Sequence, residues 1–408
     1  MLLYIDPGTG SMMFAVIMGL VTTLYFFAQK LLLKVKIWFL GGRSGVVEKN
    51  MIPYVIFSDD KRYWEMFRPV CEVFERKKTE IRYWTCSKDD PALSAEYEYV
   101  KAEYIGNINA ASVRLNSMNA GICIATTPGL DVYQWKRSNN TRWYVHLMHG
   151  AGDARGYKMF GLNSFDAVLV AGEHQVGEIK QMEKIYGDST KEIVVVGEPH
   201  IDNLYSRFKK TDAKGEKRFT VLLAPSWGKS AILSKYGEKI IDSLIATGYN
   251  VIVRPHPQSM ISEKDLMDKL MSKYKETDSF HWTLDNDNFE ALNAADIMIS
   301  DFSSVIWDYM LVFDRPVIYA DVHMDNSQYD IAWTGEDRWE IAVLERTGVK
   351  LTEADMDGIK KVIDDLVASE SMAAERLKVK QQAWANEGKS AEKIAEYLIG
   401  KYESITHA

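Results

Sequence analysis

The sequence predicts an α/β protein of two doubly wound domains facing a cleft, preceded by a membrane helix. Three observations carry this: short β-type runs alternating with helical ones from about residue 50 onward, a polar break dividing the alternation into two series, and an uncharged stretch near the start. Such alternation marks parallel sheets, because a parallel crossover needs a helix to return the chain. At 408 residues the chain exceeds what one hydrophobic core usually supports, which agrees with two domains.

In the first series, strands are read at Pro53–Phe57, Ile81–Thr85, Ile122–Thr126, Trp143–Leu147, Ala167–Ala171 and Ile193–Val196. Helices at Tyr63–Arg76, Ala111–Asn119 and Val176–Tyr186 place apolar residues at three- and four-residue spacing. Phe208–Arg218 is charged and aperiodic and reads as a linker. The second series has strands at Thr220–Ala224, Asn250–Val253, His281–Leu284, Ile297–Ser300 and Val317–Ala320, with helices near Gly237–Thr247, Ser262–Tyr274, Phe289–Ala294 and Val305–Phe313. The expected division is an anchor over 1–43, domains over 44–210 and 211–385, and a helix in 386–408 able to cross back to the first domain. Doubly wound sheets bind ligands outside the carboxyl ends of their strands, so function is sought there.

Ser11–Ala28 contains no charge and is followed by Lys30, Lys34, Lys36 and Arg43. Eighteen residues of helix rise roughly 27 Å, close to the thickness of a hydrocarbon core. A single span is favoured over a helix lying in the interface or one buried against protein. The basic residues follow the apolar run, which places the rest of the chain on the cytoplasmic face and argues against a cleaved signal peptide. A net charge of -8 argues against nucleic acid as a partner. Three cysteines without metal-type spacing suggest neither a disulfide framework nor a zinc site, and no metal-ligand cluster is found. Walker-type, HExxH and Gly-x-Ser-x-Gly motifs are missing, which counts against the triphosphatase, zinc protease and α/β-hydrolase classes.

Three segments could carry chemistry. Ala294–Val305 is an apolar strand ending in Ser300-Asp301 and then a Ser303-Ser304 pair that opens a helix. The unpaired N–H groups and positive dipole of a helix start suit a diphosphate, although either serine could simply cap the helix. Asp301 then orients the loop or binds a ligand hydroxyl, and Asp308 lies one turn inside. The second segment ends a strand in Arg254-Pro255-His256-Pro257, where the guanidinium fork and a rigidly held imidazole suit phosphate oxygens or a leaving group. The third runs from Tyr144 to Asp153, with His149 at the strand end as a candidate general base and Gly150 and Gly152 permitting close approach or a positive φ. For both histidines the alternative is a structural role. Ala224-Pro225-Ser226-Trp227-Gly228-Lys229 and Gly197-Glu198-Pro199-His200-Ile201-Asp202 are weaker signals that ordinary turns would also explain.

Taken in order, these segments resemble the CDP-glycerol:poly(glycerophosphate) glycerophosphotransferase family of teichoic-acid synthesis. The family's Trp-His-Gly strand end resembles Met148-His149-Gly150, followed by a lysine for which Lys158 stands. Its Gly-Tyr-Pro-Arg-x-Asp element resembles Gly197–Asp202, its Ala-Pro-Thr-Trp-Arg element resembles Ala224–Gly228, its Arg-His-Pro strand resembles Arg254 to Pro257, and its Asp-x-x-Ile-Thr-Asp-Tyr-Ser-Ser motif resembles Asp296–Ser304. His200 and Gly228 replace arginines, and Phe302 replaces tyrosine.

The resemblance implies a GT-B fold of two Rossmann-like domains and transfer of glycerol phosphate, or a related polyol phosphate, from a CDP-linked donor to a hydroxyl of a lipid-linked cell-surface polymer, releasing CMP. Implied catalytic residues are His149, His256 and Asp301; implied donor ligands are Lys229, Arg254, His256, Ser303, Ser304 and Asp308; implied acceptor ligands are Gly150, Asp153 and Lys158. No cofactor or metal is expected. The alternatives are a GT-B glycosyltransferase using a nucleotide sugar and a tethered binding protein without turnover.

Overall fold

The computed structural model describes residues 51–133, 135–187, 190–211, 218–285, 287–320 and 326–407. The helix expected at Ser11–Ala28 lies outside the described residues. Among the described residues, no helix is long and apolar enough to cross a membrane.

Two parallel sheets are wound in the same sense. The first holds β1 (Ile52–Ser58), β2 (Ile81–Thr85), β3 (Val100–Tyr104), β4 (Ala120–Ala125), β5 (Thr141–Leu147), β6 (Ala167–Val170) and β7 (Glu192–Val195), in the order β3-β2-β1-β4-β5-β6-β7. The second holds β8 (Thr220–Leu223), β9 (Asn250–Val253), β10 (Phe280–Trp282), β11 (Ile297–Ser300), β12 (Val317–Ala320) and β13 (Gly348–Leu351), in the order β10-β9-β8-β11-β12-β13. Each chain path starts mid-sheet, runs to one edge, then returns to the middle and runs to the other. The reversal leaves a crevice at the carboxyl ends of β1 and β4, and another at those of β8 and β11. Both crevices open toward the other domain.

The central strands form where apolar runs are densest. β4, β6, β8 and β11 are buried along their whole lengths, as strands covered by helices on both faces must be. The edge strands β3 and β13 were not expected. Val100–Tyr104 alternates apolar and charged residues, and Gly348–Leu351 has only four residues, so neither shows the apolar run of a core strand. The helix Pro199–Lys209 was also not expected. Pro199 sits in its first turn, and the Glu198 side chain accepts from the Ile201 amide, so a segment that reads as a turn is a helix start. It takes in Phe208 and Lys209 of the expected linker. The helix expected from Gly237 instead begins with a turn at Ile232 and bends at Gly237, whose φ is 49°.

The last helix, Ser390–Thr406, returns to the first domain. Its Ile394, Ala395 and Leu398 are buried in one core with Tyr54, Ile56 and Phe74. Tyr402 lies so close over Gly121 of β4 that a Cβ there would come within 2.3 Å of the ring. A separate core spans both domains, joining Ile201 and Leu204 to Trp307, Tyr309 and Trp384. The relative placement of the sheets therefore rests on apolar packing as well as polar links.

Leu398 is fully buried. Truncating it to alanine should lower unfolding stability by about 3 kcal/mol, since a leucine-sized gap cannot be refilled locally. Urea unfolding measures this, and a loss below about 0.5 kcal/mol would mean that the helix is not part of the first domain's core.

Candidate active site

Between the domains lies a cleft of about 1460 Å³. Arg62, Tyr63, His149 and Gly150 line it from the first domain, Asp301, Ser303, Ser304 and Asp308 line it from the second, and His200 lines it from the connecting helix. The structure thus gathers one candidate base and one candidate anion site from segments more than 150 residues apart in sequence.

The second-domain corner is held by Asp301. Its carboxylate is buried, with one oxygen accepting from the Ser226 amide at 2.8 Å and the other from the Ile232 amide at 2.9 Å. Asp301 therefore staples the loop after β8 to the loop after β11, which is the loop-orienting alternative of the two that its position allows. Burial pushes its pKa up, while the amides favour the charged form. Ser304 occupies the cap position of the helix Val305–Phe313 but makes no side-chain capping bond. The serine pair is therefore not spent on capping, and both residues face the cleft at a helix start.

Arg254, His256 and Lys229 do not line the cleft. They stand on a shelf beside it, at the ends of β8 and β9. The Arg254 side chain donates to the Asp285 carbonyl at 2.9 Å. His256 accepts from the Gln258 amide through Nδ1 at 3.1 Å, so its neutral ring carries the proton on Nε2 and is a donor. Burial, then Arg254, lowers its pKa. Trp227 links the shelf to the Asp301 corner, its ring 6.4 Å from His256 and its neighbour Ser226 bonded to Asp301.

The first-domain wall is aromatic. His149 follows β5 by two residues and opens on the cleft, with the Tyr63 ring 5.3 Å away and the Tyr157 hydroxyl 2.9 Å from Nδ1. The ring is exposed at the cleft, and partial desolvation by the packed wall beside it, then the Arg62 charge, pushes its pKa down to about 4. The ring is therefore uncharged at neutral pH.

A family model for CDP-glycerol:poly(glycerophosphate) glycerophosphotransferase matches residues 46–400. The chain belongs to this family. Membership makes it a transferase of the CDP-glycerol type. Among solved structures it is similar to the wall teichoic acid polymerase TagF in a form soaked with CDPG, at 14% identity and a TM-score of 0.59, covering 94% of this chain and 99% of that one. It is also similar to a putative UDP-N-acetylglucosamine 2-epimerase from Listeria monocytogenes, at 12% identity and a TM-score of 0.57, covering 87% and 97%. The S. aureus MnaA–UDP structure matches at 12% identity and a TM-score of 0.54, covering 87% and 97%. These likenesses are of fold, two Rossmann-like domains in the GT-B manner. Curated proteins give no match.

Against the roles that the family resemblance implies, two first-domain residues, Asp153 and Lys158, sit differently. Asp153 is taken up structurally. Its carboxylate receives the Arg155 amide at 2.8 Å, the Arg155 side chain through Nε and Nη2 at 2.9 and 2.6 Å, and the Trp339 amide of the second domain at 2.8 Å. Burial opposes its charge, but those partners outweigh it and lower the pKa, so no lone pair is left for an acceptor. Gly150 has no neighbour within 4 Å of a would-be Cβ, so it leaves open space, while Gly152 admits Glu340 of the second domain, 2.7 Å from such a Cβ. Neither has the positive φ that its glycine would permit. Lys158 is exposed outside the cleft, its backbone bridged to Tyr329. Among the described residues, no group of three or more His, Cys, Asp or Glu is placed to hold a metal ion.

His200, where the family pattern has arginine, stands in the cleft 3.6 Å from Asp308. Burial would lower its pKa, but Asp308, then Glu198 and Glu65, raise it to about 9. The family's fixed cation is replaced by one that titrates. Arg62, Tyr63 and Tyr157 were missed in the sequence because a charged turn and an isolated tyrosine carry no pattern; the ending of β1 at the sheet's reversal point was the one available signal. Because the folded pKa of His200 exceeds the unfolded value near 6.5, its contribution to stability is full below that value and is lost as pH rises through 9. The difference in urea midpoint between wild type and His200→Gln should shrink from pH 6 to pH 10. A constant difference would show that the imidazole is not charged in the fold.

Proposed function

We propose that this enzyme transfers glycerol phosphate, or a related polyol phosphate, from a CDP-linked donor to a hydroxyl of a lipid-linked cell-surface polymer, releasing CMP at the cytoplasmic face of the membrane. The observation carrying this reading is the pairing across one cleft of an uncharged histidine with a helix start whose two hydroxyls are not used for capping. One suits an acceptor hydroxyl and the other a diphosphate.

In this reading the diphosphate lies on Ser303, Ser304 and the positive end of the helix dipole, with His200 as a nearby cation. Asp308 holds His200 in place, and Asp301 holds the loop. The acceptor oxygen approaches phosphorus in line, its proton passes to Nε2 of His149, and the bond to the CMP oxygen breaks with the electron pair leaving on CMP. Little covalent assistance is needed for such a displacement, so placement and charge do most of the catalysis. Arg254, His256 and Lys229, on the shelf at the ends of β8 and β9, extend the donor site toward the rest of the nucleotide. The uncharged stretch Ser11–Ala28 would keep the cleft near an acceptor carried on lipid.

Purified protein should release CMP from CDP-glycerol or CDP-ribitol in the presence of a polyol-phosphate acceptor, with no UDP released from UDP-sugars. His149→Ala should lower kcat about 10³-fold. Retained turnover in that variant would remove His149 as the base, and UDP release would favour sugar transfer. Replacing Ser303 and Ser304 together by alanine should raise KM for the donor roughly tenfold while leaving the fold intact, and an unchanged KM would place the diphosphate elsewhere.

A further inference from the structure

Behind His149 lies a second histidine that the proposed chemistry does not use. His146, on β5, is fully buried, and its Nε2 lies 3.0 Å from the Tyr157 hydroxyl, the same hydroxyl that lies 2.9 Å from Nδ1 of His149. We propose that Tyr157 and His146 are positioning residues that together decide which nitrogen of His149 carries the proton. The inference rests on the reading of His149 as the base.

A tyrosine hydroxyl has one proton to donate. If Tyr157 gives it to His146, its oxygen is left to accept from His149, and Nδ1 of His149 must then hold a proton. If Tyr157 gives it to His149, its oxygen accepts from a protonated Nε2 of His146. Burial keeps Tyr157 protonated, and burial followed by the nearby His149 keeps His146 uncharged, so each ring has one proton. The two histidines must therefore adopt the same tautomer, both on Nδ1 or both on Nε2.

A base working through Nε2 needs that nitrogen bare, which requires His149 to be protonated on Nδ1. Only then does Tyr157 accept from His149, and only then does His146 also carry its proton on Nδ1. The Nδ1 of His146 is buried without a hydrogen-bond partner among the described residues. An unpaired N–H costs more than an unpaired lone pair, so the chain favours the opposite tautomer on the order of tenfold at rest. The remaining groups facing His149 are Arg62, Tyr63 and the Thr126 carbonyl, and the carbonyl favours a proton on the ring. His146 faces Phe165 at 5.0 Å, which offers no acceptor. The base form is thus a minority state, reached through a residue that never touches substrate.

Ring-nitrogen NMR on the full-length protein labelled at histidine tests this directly. In the wild type, His146 and His149 should show the same tautomer, mainly protonated on Nε2; opposite tautomers would overturn the coupling. In Tyr157→Phe, Nδ1 of His149 loses its acceptor, so His149 should be confined to the Nε2-protonated form and kcat should fall roughly 10- to 100-fold with KM for CDP-glycerol unchanged. Wild-type kcat together with an unchanged His149 tautomer would refute the positioning role. His146→Leu should give a similar loss of kcat, because Tyr157 then has only His149 to donate to. Because replacement of a buried ring threatens folding, the spectra of the wild type and of Tyr157→Phe remain decisive. Turnover in His149→Ala would remove His149 as the base, while the tautomer pairing would still stand or fall on the spectra.

Discussion

The arrangement of the cleft depends on one buried carboxylate. The Asp153 side chain has no solvent exposure, and it joins the Arg155 guanidinium of its own domain to the Trp339 amide of the other. Its own amide donates to Glu340 at 2.9 Å, and Arg155 reaches on to Glu336 at 2.7 Å. A buried ion pair repays the loss of hydration only when its remaining donors and acceptors are satisfied, and here backbone amides complete the set. The neighbouring Glu178 shows the same economy of charge, since burial and then Asp153 push its pKa up to about 9 and leave it neutral beside Asp153. Apolar packing holds the two domains together, and this junction adds the directional polar link at the carboxyl ends of the sheets, where the cleft lies.

Each domain meets a different electrostatic demand. The first presents aromatic rings beside an uncharged imidazole that opens on the cleft, where a proton can be taken. The second presents a helix start with two hydroxyls, where negative charge is welcome. His200 sits on the helix that connects them, and its charge is favoured first by Asp308 of the second domain, then by Glu198 beside it and by Glu65 of the first. The cation in the cleft therefore depends on both domains being in place, as the junction at Asp153 does.

The buried strands were legible because parallel strands covered on both faces need unbroken apolar runs, and Ile297–Ser300 or Ala167–Val170 can hardly be anything else. The strand-end position of His149 and the helix start at Ser303 and Ser304 followed from that pattern. Asp153 was misplaced for a physical reason. Beside two glycines at a strand end it looks like a ligand, Arg155 two residues on is not marked by the sequence as its ion-pair partner, and the Trp339 amide that also occupies it lies more than 180 residues away. Tyr157 was invisible for a related reason, since its meaning lies in two hydrogen bonds to histidines, not in any spacing. The helix Pro199–Lys209 was hidden by its first residues, which serve a turn and a helix start equally well.

A crystal structure of the full chain soaked with CDP-glycerol tests most directly whether the interdomain cleft is the transfer site. The diphosphate should lie within hydrogen-bonding distance of the Ser303 and Ser304 hydroxyls, with the glycerol-bearing phosphorus open toward His149. A nucleotide bound outside the cleft, or one whose phosphates face away from the Ser303–Ser304 helix start, would contradict it.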